Sequence, residues 1–225
     1  MLKADFHIHT DYSPDSSVSP KSLVARCVKQ GINCIAVTDH DTIQGALAVA
    51  RIAPFRVIIG SEIKSADGEI IGLFLKEDVP PKLLALETVR RIKQQGGLVS
   101  LPHPFDRFRH HVLTPKGLDE ALPYADMVEG LNARNMASAD NRKALELATK
   151  RGLPAVGVTD CHSIIEVGRA FTELPDFDGT AEGFKKALAQ AKIGGRPSHS
   201  LVHTISTYNK FKKRLLNAIG IRRGR

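Results

Sequence analysis

Short runs rich in β-branched residues recur through roughly the first 175 residues of this chain, with helical patterns between them. That alternation restricts the fold to a mostly parallel sheet flanked by helices. The runs are Ala4–His9, Cys34–Thr38, Arg56–Gly60, Leu98–Leu101, Met127–Leu131, Ala155–Thr159 and Ala170–Leu174, seven expected strands. Helical spacing falls near residues 20–30, 42–52, 81–95, 116–122, 139–151 and 180–192. Ser19-Pro20 opens the first helix and Gly31 follows it, while Gly96-Gly97 and Gly152 close two others. An extra hairpin fits between Glu62–Ser65 and Glu69–Leu75, with Asp67-Gly68 as its turn. The apolar pattern by itself is compatible with a closed barrel and with an open doubly wound sheet.

The polar residues decide between them. Most expected strands end in side chains of metal-ligand type: Asp5-Phe6-His7-Ile8-His9, Thr38-Asp39-His40-Asp41, Ser61-Glu62, His103-Pro104 and Asp160-Cys161-His162. Carboxyl ends of parallel strands share one face, and active sites form there. His7 and His9 are two residues apart, so both point to one side of their strand, and Asp160 and His162 repeat the spacing. An open sheet gathers ligands at one switch point, whereas a barrel draws five strand ends toward one axis. The expected fold is therefore an α/β barrel built on these seven strands. A lone His at a strand end is more often a hydrogen-bonded structural residue. Five such residues at successive strand ends, each beside or paired with a carboxylate, would bury many charges together without compensation unless cations sit among them. Imidazole with carboxylate and no cysteine suits Zn, Mn or Fe at a catalytic site. Asp5 and Asp39 either orient imidazoles or serve as strand-end hydrogen bonders.

Composition narrows the classes further. The 225 residues suffice for one domain with a full core, and 42% apolar content is ordinary for a globular chain. No apolar run approaches bilayer length, and no signal peptide is evident, so a cytoplasmic enzyme is expected. Cys27, Cys34 and Cys161 are too few and too scattered for a disulfide framework or a zinc ribbon. The net charge of +8 is local. Residues 196–225 hold eight Lys/Arg and no Asp/Glu, leaving 24 basic against 24 acidic residues in 1–195. The division expected is a barrel over 1–195 and a basic extension over 196–225, which argues against a nucleic-acid binder built from the whole surface.

His7-Ile8-His9-Thr10, Thr38-Asp39-His40, Glu62, His103-Pro104 and Asp160-Cys161-His162 resemble the motifs of the PHP (polymerase and histidinol phosphatase) superfamily, in the same order over about 175 residues. The resemblance implies a distorted (β/α)7 barrel, a site for two or three divalent ions, and hydrolysis of phosphoesters by a hydroxide the metals activate. By position, it implies that His7, His9, Glu62 and Asp160 hold one metal. Glu62 would bridge to a second that His103 also binds, and Asp15, His40 and His162 would hold a third. Asp15 stands where the family often has His. Glu69 stands where a further His for the second metal is usual, and is either a ligand or a solvent-facing hairpin residue.

Phosphate chemistry needs positive charge on the non-bridging oxygens. Arg134, just past the fifth expected strand, is the best placed and joins Glu62 and His103 as a candidate catalytic residue. Arg107, Arg109 and Lys64 are further phosphate-binding candidates, with arginine favoured for its bidentate geometry. His110 and His111 read as loop residues within possible reach of the mouth. In the extension, Ile205, Tyr208, Phe211, Leu215 and Ile219 recur at helical spacing, with Lys210, Lys212, Lys213 and Arg214 mainly elsewhere. An amphipathic basic helix is expected, either packed on the barrel or attracting a polyanion or an acidic surface. The expected substrate is a small, nucleotide-like phosphomonoester. A nuclease acting on RNA or DNA ends is the alternative, and a metal-binding module without catalysis is a third reading.

Overall fold

The computed structural model describes residues 1–198 together with 204, 207–209, 211, 212 and 215. The elements run β1 (Leu2–Ile8), α1 (Pro20–Gln30), β2 (Cys34–Val37), α2 (Gln44–Ala50), β3 (Arg56–Ser65), β4 (Gly68–Leu73), α3 (Ala85–Gln94), β5 (Leu98–Leu101), α4 (Pro115–Ala121), β6 (Met127–Asn132), α5 (Ser138–Arg151), β7 (Ala155–Val158), β8 (Ala170–Leu174), α6 (Ala181–Leu188) and β9 (Lys192–Gly195). One sheet orders them β7-β6-β5-β4-β3-β2-β1-β8-β9.

The β1-β2-β3 and β5-β6-β7 segments are parallel, and the β3-β4 hairpin joins them in antiparallel register. The sheet then curls almost shut. Ile8 bridges to Cys161, His9 N donates to Cys161 O at 3.0 Å, and Thr159 N donates to Asp5 Oδ1 at 3.0 Å. Thr172 Oγ1 accepts from Gly157 N and donates to Gly157 O, both at 2.9 Å, fixing β8 to β7. Asp5, in the middle of β1 and not at its end, is thus a hydrogen bonder that ties β1 to the residue following β7.

Local chemistry sets the helix ends. Ser19 Oγ accepts from Ser22 N, Pro20 occupies the first turn, and Gly31 ends α1 in left-handed backbone at φ 67°. The starts of α2 and α3 are capped from a distance instead: Asp78 Oδ1 accepts from Ile43 N and Asp67 Oδ2 from Ala85 N. Apolar residues of every strand but β9 are buried in clusters with the helices. Phe184 of α6 is fully buried, its ring edge-on to Phe6 at 5.0 Å. Truncating a ring in such a place typically costs about 3–5 kcal/mol.

Besides the starts of α2 and α3, which fall a few residues later than expected, three expectations change. The Ala170–Leu174 segment pairs antiparallel with β1 and is not a parallel barrel strand. The helix expected to run to 192 stops at Leu188, and Lys192–Gly195 forms a ninth strand against β8. The Arg56–Gly60 strand and the first hairpin arm are one ten-residue strand. The helix expected over 205–219 lies largely outside the described residues. Tyr208, Phe211 and Leu215, which are described, are each more than half exposed, and Asn209 Nδ2 donates to Ser17 Oγ at 3.2 Å. Among the described residues no helix is long and apolar enough to cross a membrane.

Candidate metal centre

The strand ends converge as expected. His7 Nε2 and His9 Nε2 face each other at 2.9 Å. Asp160 Oδ1 lies 3.5 Å from both, and Glu62 Oε2 lies 3.5 Å from the first and 3.3 Å from the second. His103 Nε2 meets Glu62 Oε1 at 3.0 Å, with Glu69 Oε2 at 3.8 Å. On the other flank, Asp15 stands 3.4 Å from His40 Nε2 and 3.5 Å from His162 Nε2, while the His9 and His162 rings lie 4.2 Å apart. All eight expected ligands therefore share one cluster, and Glu69 joins it as a buried residue, not a solvent-facing one.

The far sides of the rings are fixed. His7 Nδ1 donates to Glu129 Oε1 at 2.7 Å, His9 Nδ1 to Ser13 Oγ at 3.1 Å, and His162 Nδ1 to the Asp160 carbonyl at 2.9 Å. Each bond keeps the Nδ1 proton in place, so that the neutral ring turns its Nε2 lone pair into the cluster. Ser13 Oγ donates in turn to Asp39 Oδ1 at 2.6 Å, and Asp39 Oδ2 accepts from Thr10 Oγ1 at 2.6 Å. Asp39 thus orients His9 through Ser13. Gly45 of α2 makes that possible, because a Cβ there would sit 1.9 Å from Asp39 Oδ2. Two of the expected ligands, His103 at φ 29° and Asp160 at φ 54°, hold left-handed backbone that side chains ordinarily avoid.

The cluster is electrostatically incomplete. Asp15 Oδ1, Glu62 Oε2 and Asp160 Oδ1 are buried and make no hydrogen bond, as are His40 Nδ1 and His103 Nδ1. Burial opposes ionisation of Asp160, but Arg109 and His7 hold it well below the usual carboxylate range. Glu62 is likewise held low against its burial by His7, His103 and His40. Burial and the neighbouring Glu62 push Glu69 well up. Burial disfavours a charged His9, yet Asp160 and Glu62 raise it to about 9, whereas burial with His9 and Arg134 nearby takes His162 down to about 3. Unpartnered carboxylate oxygens facing imidazole nitrogens, with no thiol among them, form a donor set that fits divalent cations.

The cationic candidates divide. Arg109 is bound to Asp160 and, at 2.9 Å, to Asp106, so its guanidinium reaches the ligand cluster. Arg134 is buried, with Nη1 3.6 Å from Glu166 Oε1, and Glu166 Oε2 accepts from His162 N and Ser163 Oγ. Arg107 forks onto Asp140, 2.7 Å at the nearest, and Lys64 is half-buried on the strand that carries Glu62. Glu129, Ser13, Glu166 and Asn132, whose amide bridges Glu129 and Asp160, also belong to the cluster's surroundings and carry no motif in the sequence. The available signal was Glu129, a charged residue in the middle of an otherwise apolar strand run.

The PHP domain model matches residues 5–130, and the PHP-associated model matches 138–193. The chain belongs to the PHP family. Among its relatives is the uncharacterized protein MJ0417 of Methanocaldococcus jannaschii, 36% identical over 181 residues, which span 79% of this chain and 72% of that one. A two-domain protein of Bacteroides vulgatus containing a predicted PHP-like metal-dependent phosphoesterase superposes with a TM-score of 0.69 at 19% identity, covering 92% of this chain and 69% of that one. The lesion-specific endonuclease PfuEndoQ of Pyrococcus furiosus gives 0.63 at 18%, covering 85% and 57%. These likenesses show that the chain shares the barrel fold of these two proteins.

In this PHP protein Gly45→Ala is expected to push Asp39 off Ser13 and lower divalent-metal affinity by about tenfold, the lower range for disturbing a ligand's support. Competition against a chromogenic chelator measures it, and circular dichroism should show the helices intact. Unchanged affinity would detach Asp39 from the centre.

Proposed function

We propose that the chain hydrolyses phosphoesters, acting as a phosphatase on small, nucleotide-like phosphomonoesters with two or three bound divalent ions of Zn, Mn or Fe. The observation that supports this reading is the convergence of the four atoms His7 Nε2, His9 Nε2, Glu62 Oε2 and Asp160 Oδ1, none more than 3.5 Å from either imidazole. His7, His9, Glu62 and Asp160 would hold one ion, Glu62, His103 and Glu69 a second, and Asp15, His40 and His162 a third. Bound there, the ions would supply Lewis acidity and lower the pKa of water. Arg134 and Arg109 would take the phosphoryl oxygens, Arg134 held in place by Glu166 and Arg109 by Asp106. Lys64 and Arg107 would add charge farther out. The barrel over 1–195 is formally neutral, which suits a small substrate better than a polymer.

The basic extension favours the second reading, a nuclease on RNA or DNA ends, and the two separate experimentally. Lys210, Lys212, Lys213 and Arg214 replaced together by Gln should leave kcat/KM for a nucleoside monophosphate nearly unchanged. Arg134→Ala should lower it by about tenfold or more, as expected for losing a charge-assisted contact of about 1.5–3 kcal/mol. A selective collapse on a short oligonucleotide in the tail variant, with a shallower salt slope, would replace the phosphatase by the nuclease.

A further inference from the structure

Away from the metal ligands, a hollow of about 500 Å³ opens between α1 and the loop that links β7 to β8. Arg26, Gln30, Ile165, Arg169 and Arg196 line it. No acidic residue lines it, and among the described residues none of the three guanidinium groups takes part in an ion pair. The residues left undescribed add no Asp or Glu, because the sequence from 196 onward contains neither. Arg56, Arg91, Arg107, Arg109 and Arg134 each meet a carboxylate, whereas these three arginines share one cavity whose lining holds none. The Nε of Arg26 is in addition buried without a hydrogen-bond partner.

The backbone holds this arrangement in place. Gly195 turns at φ 98°, where a Cβ would lie 2.3 Å from the Arg169 carbonyl, and Arg196 N donates to that carbonyl at 2.8 Å. The close approach sets Arg196 beside Arg169 on the β8-β9 edge, while α1 brings Arg26 from the other side. Three cations around one cavity repel one another unless an anion lies between them. Planar guanidinium forks match the oxygens of phosphate better than ammonium groups do.

We infer that this hollow is an oxyanion-binding site that takes a phosphate group on Arg26, Arg169 and Arg196. It lies one loop away from the candidate metal centre: Ile165 faces the hollow while Glu166 of the same loop accepts from His162 N and from Ser163 Oγ. The phosphate is either a free anion or one group of a longer phosphodiester. The inference stands independently of the hydrolase reading.

The test follows amide NMR signals of Gly168, Arg169, Gly195 and Arg196 in the full chain as inorganic phosphate is added. Saturable shifts are expected in the wild type, with Kd at least tenfold weaker in the Arg26→Gln/Arg169→Gln double variant. Arg196→Gln, at an exposed position, gives a second reading that does not depend on the folding of the double variant and should weaken binding several-fold. A non-hydrolysed phosphorothioate oligonucleotide that displaces phosphate from these signals at much lower concentration identifies a strand as the source. Undisturbed signals identify the free anion. Absence of saturable shifts in the wild type, or equal shifts in folded variants, would overturn the site.

Discussion

His9→Ala is expected to lower kcat/KM toward a phosphomonoester by more than about 100-fold and to reduce the metal content of the purified protein. Weakening a ligand's support alone typically costs about 10–100-fold, and loss of a ligand should exceed it. His9 touches both halves of the cluster: its Nε2 faces His7, Glu62 and Asp160, and its ring stacks near His40 at 4.6 Å and His162 at 4.2 Å. Removing it should therefore disturb more than one ion. The mouth of a barrel lies outside the packed clusters that carry stability, so far-ultraviolet circular dichroism should be preserved. A folded variant with wild-type metal content and turnover would show that the cluster is not the catalytic centre.

Glu129→Gln is expected to weaken metal binding by about 10–100-fold without altering the fold. Glu129 accepts three bonds, from His7 Nδ1 at 2.7 Å and from His103 N and Asn132 Nδ2 at 2.9 Å each. A glutamine offers one oxygen and one NH2, so an N–H must face at least one of these donors. Where it faces His7, the ring shifts its proton to Nε2 and loses the lone pair it points into the cluster. Where it faces the other two, the His103 loop loses its anchor. Isothermal titration with Mn or Zn distinguishes this from a merely structural role, since Glu129→Asp should recover less than its charge alone would suggest if ring geometry governs. Unaltered affinity in Glu129→Gln would remove the carboxylate from the centre's construction.

What could be read from sequence follows from where the information resides. His7 and His9 were legible because period two along a strand is a local rule, and the convergence of five strand ends follows from parallel order. β9 was not legible: Lys192-Ile193-Gly194-Gly195 has two glycines in four residues, and its pairing with β8 supplies what propensity lacks. The first turns of α2 and α3 were misplaced by a few residues because Asp78 and Asp67, distant in sequence, cap them. The residues that support the expected ligands are illegible for a similar reason. Ser13, Glu129 and Glu166 carry no motif, and acquire their roles only when the strands bring His9, His7 and His162 against them. The positive charges were only partly legible, since Arg107 and Arg109 are neighbours in sequence yet one meets Asp140 and the other Asp160.

Buried His and carboxylate groups at the barrel mouth are proposed to hold divalent ions. The most direct measurement is the number of metal ions per chain, by plasma mass spectrometry on protein purified without added chelator. Two or three ions of Zn, Mn or Fe per chain are expected, with a stoichiometric fall in His9→Ala. A wild-type protein carrying less than about one ion per chain, and taking up none when dialysed against Mn or Zn, would contradict the account.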